Sequence, residues 1–282
     1  MPPASEKSIA HEVKQRVPST AVALARTPDQ IILRLNKLLA SPGGLSAFLS
    51  TFNYTLYLLA YLDAKSAPLQ AKLYAILSRF TGRPAPRLVS SDPLQSPFRA
   101  LGALFSTTRV TLRLFGLLPM YAWARQLAQG PKPGQDLVLY TTSVAQCSLY
   151  MAFQFLENVA LLTDHKVLAD SYTARWTAQS GGTTAKIYLT AYRCWFAGVI
   201  CDFVRLGREW QLRGTDKDVS AESERERDAK WWSDLVVPAS WTPVAMQFTT
   251  EGGLPWFNLG IMGACGAMAG LSRTAGLWEA TK

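Results

Sequence analysis

The chain has 282 residues, 49% of them hydrophobic and 17% charged, with a net charge of +9 and a mean hydropathy of +0.06. The charged fraction falls below the quarter usual for soluble domains, and the hydropathy is too low for a carrier built mainly of long spans. The cations are spaced singly along apolar segments rather than in dense phosphate-tracking runs, which favours an anionic phospholipid membrane and excludes nucleic acid as the partner.

Residues 1–27 are polar, contain Pro2, Pro3 and Pro18, and read as a disordered N-terminal tail. Thr27-Pro28-Asp29 reads as a helix start with proline at the first helical position. Ile31, Ile32, Leu35, Leu38 and Leu39 then form an apolar stripe that Ser41-Pro42-Gly43-Gly44 stops. Leu45 to Leu62 runs 18 residues without a charge, long enough for a span. It also carries Asn53 and three tyrosines, so a packed bundle helix fits equally well. Leu69, Leu73, Ile76, Leu77 and Phe80 repeat the amphipathic pattern, and Gly82 to Pro97 reads as a loop.

Phe98 to Leu127 is the next long helix. At about 100° per residue, Leu101, Leu104, Phe105, Leu112 and Phe115 gather on one side. Arg99, Arg109 and Arg113 fall within a sector of roughly 80° on the other. Pro119 is placed to kink this helix, and Gly130-Pro131-Lys132-Pro133-Gly134 ends it. Leu137 to Leu156 is uncharged for 20 residues and is followed by Glu157-Asn158. Glu157 has two readings. It is an intramembrane carboxylate with a pathway role, or, the favoured reading, it marks where the helix surfaces and is satisfied by water or a nearby arginine. Thr184 to Leu212 forms a further helix with an apolar centre and a basic end at Arg205, Arg208 and Arg213.

Residues 216–234 hold seven acids and four bases, the mark of a solvated linker or exposed helix. Gly252 to Ser272 is uncharged for 21 residues and is the strongest transmembrane candidate. Gly260, Gly263, Gly266 and Gly270 gather on one side of it, Gly266 and Gly270 as a G-x-x-x-G, a pattern that lets helices approach closely in packing or self-association. Cys147, Cys194, Cys201 and Cys265 lie in apolar stretches without C-x-x-C spacing and read as buried reduced thiols. His11 and His165 are the only histidines. No phosphate loop, nucleophile elbow or zinc spacing occurs, so the expectation is no enzyme, no cofactor and no metal.

These segments predict an all-α, membrane-associated helical bundle with amphipathic helices and at least one C-terminal transmembrane helix. The expected divisions are the tail, 1–27; an amphipathic membrane-associating region, 28–130; a helical region with a candidate span, 131–213; a charged linker, 214–234; and a C-terminal transmembrane segment with a short tail, 235–282.

Three stretches carry a family resemblance. TPDQIILRLNKLLASPGGLSAFLSTFNYTLYLLAYLDAK resembles the N-terminal region of fungal C-type members of the peroxisomal biogenesis factor eleven (peroxin-eleven) family. FSTTRVTLRLFGLLPMYAWA is similar to the family's Arg-rich amphipathic segment, and FQFLENVALL to its mid-chain stretch, here Leu156, Glu157, Asn158 and Val159. The resemblance implies a peroxisomal membrane protein that elongates the organelle before fission. It would do so by inserting an amphipathic helix, self-associating as a homo-oligomer and engaging dynamin-type fission machinery; a pore for small metabolites is the alternative. Carried over, the membrane-binding segment is Phe98–Leu118, with Arg99, Arg109 and Arg113 at the headgroups. The chain's end, Leu-Trp-Glu-Ala-Thr-Lys, is not a peroxisomal matrix address, so that destination would be reached as a membrane protein.

Overall fold

The computed structural model describes residues 19–81, 96–213 and 221–282. Among them are nine α-helices, two short 3-10 turns and no strand. The helices are α1 (Ser19–Ala40), α2 (Pro42–Thr81), α3 (Pro97–Leu112), α4 (Leu117–Leu127), α5 (Leu137–Asp164), α6 (Asp170–Thr177), α7 (Ala185–Arg213), α8 (Ala221–Thr249) and α9 (Leu259–Glu279).

The helix starts and stops follow local chemistry. α1 begins at Ser19, ahead of the start expected at Thr27, and carries Pro28 inside it. The alanines and leucine of Ala21–Ala25 are strong helix formers, and they extend the helix back past a proline that removes only one backbone bond. The break between α1 and α2 falls where expected. Ser41 Oγ accepts from Gly44 N at 3.0 Å, and Ser41 O accepts from Leu45 N at 2.9 Å. Asp136 caps α5 by accepting from Val138 N and Leu139 N at 3.0 and 3.1 Å. Asn258 caps α9 through Ile261 N. From Ala221 onward the charged segment is the first turns of α8, continuous with the apolar half up to Thr249. The amphipathic stripe read at Leu69–Phe80 lies on the helical backbone of α2, its side chains outside the described ones, and the loop read at 82–97 lies almost wholly outside the described residues.

The helices close into a ring. α2 packs along α9, α9 on α8, α8 on α7, α7 on α5 and α5 on α4. α3, which runs into α4 through the 3-10 turn Arg113–Phe115, returns to α2 and closes the circuit. α1 lies against α2 and α9. There Arg34 stands 4.3 Å over the Trp278 ring and donates to Trp278 O at 2.8 Å and Thr281 Oγ1 at 3.0 Å.

Among the described residues, two helices can cross a membrane by length and composition: α2 within Pro42–Ser66 and α7 over Ala185–Arg213. α3 and α4 qualify only together, as a pair bent by 46°. The C-terminal helix expected as the best span is not among them. Its uncharged run is split, because residues 252–258 precede the helix and α9 takes in Arg273 and Glu279. What remains is rich in glycine and alanine rather than long aliphatic side chains.

Candidate functional site

The site is built on the break between α3 and α4. Gly116 and Pro119 follow the 3-10 turn, and Pro119 has no N–H to offer the preceding turn. A broken helix leaves carbonyls that need partners. Facing it, α5 presents Gln154, Glu157 and Asn158, whose i, i+3, i+4 spacing puts them on one face. Gln154 Nε2 donates to Arg113 O at 2.8 Å and to Asn158 Oδ1 at 3.0 Å. Asn158 Nδ2 donates to Leu114 O at 3.2 Å. Glu157 accepts from Arg113 Nε and Nη2, both at 2.7 Å, in a bidentate pair. α5 thus holds both the carbonyls of the break and the side chain of its first residue. Gly116 permits the approach, since a Cβ there would sit 2.5 Å from Gln154 Oε1.

Within the ring, beside this clamp, lies a cavity of about 240 Å³. Arg109, Arg113 and Ser106 of α3 form one wall. Aromatic rings from four other helices form the rest: Tyr54 of α2, Phe153 of α5, Tyr192 and Trp195 of α7, and Trp241 and Phe248 of α8. These rings touch in sequence. Tyr54 meets Trp241 edge-on at 5.4 Å, Trp241 meets Trp195 at 5.6 Å, and Tyr192 stacks on Phe248 at 5.0 Å. Glu157 is 1% exposed, whereas the Arg113 side chain keeps 31% of its surface accessible. Arg113 is one of the residues that line the cavity. Arg109 sits over the Tyr54 ring at 5.5 Å.

The arginines therefore turn inward and the apolar side of the bent pair turns outward. Leu101, Leu104, Leu112 and Phe115 are exposed, Leu104 at 61% and Phe115 at 69%. Leu118 of α4 continues the patch at 69%. Phe105 is half-buried and packs edge-on against Phe52 of α2 at 5.3 Å. Of the three arginines assigned to headgroups, Arg109 and Arg113 line the cavity and Arg99 does not. Leu156 and Val159 are half-buried on α5, beside the clamp.

The glycine face of α9 is buried against α2 of the same chain. Gly260 lies on the Tyr61 ring, Gly263 on the Leu58 backbone, Gly266 on the Tyr54 ring and Gly270 on Thr51. A Cβ on Gly263 would sit 2.3 Å from Leu58 N, and one on Gly266 2.2 Å from Tyr54 Cγ. Thr51 and Thr274 share a 2.8 Å hydrogen bond on the same seam.

Gln154 and the aromatic wall are the residues that sequence reasoning passed over. Gln154 had a signal, being polar on an apolar helix three residues before Glu157. The aromatic residues had none, because their convergence depends on ring closure. Among the described residues no cluster of His, Cys, Asp and Glu is arranged to hold a metal. The model of the peroxisomal biogenesis factor 11 (PEX11) family matches residues 71–271. No curated protein and no solved structure matches the chain.

Proposed function

The chain belongs to the peroxisomal biogenesis factor 11 family, whose members are peroxisomal membrane proteins of organelle proliferation, and we propose that it elongates the peroxisomal membrane ahead of fission. The observation that carries this reading is the outward apolar face of the bent α3–α4 pair, with Leu104, Phe115 and Leu118 bare of protein contact over most of their surface. Each such side chain gains roughly 1.5–3 kcal/mol on full transfer out of water. A helix pair bent by 46° adds more area to one leaflet than to the other, and that asymmetry curves the bilayer. Arg99, at the start of α3, is the cation that this reading assigns to anionic headgroups. Arg109 and Arg113 reach them only if α3 leaves the ring and Arg113 releases Glu157. Self-association and engagement of dynamin-type fission machinery belong to the same reading.

Full-length protein reconstituted into anionic liposomes tests it. Electron microscopy should show tubules with the native chain and round vesicles with L104S/F115S/L118S at equal incorporation. Equal tubulation by both would end the reading. In cells, the native chain should lie on the peroxisomal rim and lengthen the organelle.

The interior cavity favours a second reading, a pore for small metabolites, since charged groups inside a membrane protein generally mark ligand or ion pathways. Planar-bilayer conductance that changes on Glu157→Gln would support it, and unchanged conductance would remove Glu157 from that account.

A further inference from the structure

We propose that the cavity binds a small oxyanion, a phosphate or carboxylate group, through the Arg109 guanidinium. Among the described residues, two guanidiniums line it and no carboxylate does. Glu157, the partner of Arg113, is 1% exposed and spends both oxygens on it. Arg113 in turn commits Nε and Nη2 to it. Two arginines and one glutamate leave one positive charge uncompensated, and it resides on Arg109. Among the described residues Arg109 has no ion pair; its neighbour is the Tyr54 ring at 5.5 Å.

An ionised side chain inside a helical ring is costly unless paired. The planar guanidinium is also a five-donor fork, shaped for two oxygens of one anion. The aromatic rings lower the local polarity along most of the wall, which strengthens charge pairing there relative to bulk water. Trp195 and Trp241 both stand on the wall. At about 240 Å³ the cavity has room for a phosphate or short carboxylate with a few waters. The oxyanion is either free in solution or the exposed phosphate of a lipid headgroup.

The inference does not depend on the pore reading, since a cavity can hold an anion without passing it, and its test reads binding rather than conductance. Full-length protein in an uncharged detergent is titrated with inorganic phosphate, then with short-chain phosphatidic acid, at matched chloride ionic strength. Tryptophan emission is the readout, because Trp195 and Trp241 line the cavity. A saturable shift is expected, weakened at least tenfold in Arg109→Gln, intermediate in Arg109→Lys, and lost in Val110→Phe, which fills the cavity and leaves both arginines. A shift with phosphatidic acid alone that depends on Arg109 supports the site and assigns its ligand to a headgroup. No saturable shift with either probe overturns the proposal, as does a shift equal in the native, Arg109→Gln and Val110→Phe proteins. Should Arg109→Gln fail to fold, Val110→Phe decides.

Discussion

Arg113 and Glu157 lie 44 residues apart and meet through two parallel 2.7 Å hydrogen bonds, with Glu157 1% exposed. The pair joins the broken α3–α4 helix to α5 at the point where the ring closes. Removing one partner leaves the other charged, buried and alone, which typically costs about 3–5 kcal/mol. Arg113→Leu and Glu157→Leu should each lower stability by that order in denaturant titrations of the detergent-solubilised protein. The double variant should cost clearly less than the sum of the two. Additive losses would show that the two charges are not coupled.

The amide clamp supports a separate expectation. Asn158 and Gln154 donate to two carbonyls at the break, Leu114 O and Arg113 O, the second of which also accepts from Gly116 N at 2.8 Å. Asn158→Leu should cost about 1–3 kcal/mol, the usual range for an orphaned buried acceptor. Gly116→Ala pushes a methyl to 2.5 Å from Gln154 Oε1, so it too should destabilise, by about 1–3 kcal/mol for overpacking. Hydrogen exchange should localise both effects to residues 112–120 and the middle of α5. Protection unchanged there would mean that water replaces the clamp.

Much of this fold could be read from the residues. Ser41-Pro42-Gly43-Gly44 ended one helix and began the next, the uncharged run from Leu137 became most of α5, and Pro119 sits just beyond the kink it was expected to make. The candidate site was harder to read. Periodicity showed that Arg99, Arg109 and Arg113 oppose Leu104 and Phe115, but a helical wheel does not say which side faces the protein. A surface helix turns its cations outward, and a helix in a membrane-borne ring turns them inward. Glu157 marked a polar position on α5 without naming Arg113, because the partner lies on a helix brought round by ring closure. The glycines of α9 announced a close approach and did not say to what. The charge-free run that suggested a C-terminal span is cut at Asn258, where a cap starts the helix late.

The pH dependence should start at Asp136. Its carboxylate accepts from Arg208 at 2.8 Å and from two backbone N–H groups of α5, and the Arg208 bond leads in holding its pKa below the ordinary value. A carboxylate depressed in the folded state contributes stability that is whole above its unfolded pKa, about 3.9. That contribution is lost as pH falls towards the folded value. Glu251, held low mainly by its bond from Lys186, acts in the same direction. The unfolding midpoint should therefore drop on acidification below about pH 5, and less steeply in Asp136→Asn than in the native chain. Identical slopes would remove Asp136 from the acid response.

The seam between α9 and α2 gives the last test, and it bears on how copies of the chain associate. Gly263 touches Leu58 backbone and Gly266 touches the Tyr54 ring. Backbone cannot yield as a side-chain end can, so Gly263→Ala should be the more damaging of the two. Overpacking of this kind costs about 1–3 kcal/mol or more. Because Tyr54 also lines the cavity and sits beneath Arg109, Gly266→Ala should disturb the tryptophan emission as well as the unfolding midpoint. Cross-linking in liposomes separates the uses of this face. If α2 is its partner, Gly266→Ala lowers stability while the cross-linked species persist. If a second copy occupies it, the cross-linked species disappear while the midpoint holds, and α9 must then exchange between chains.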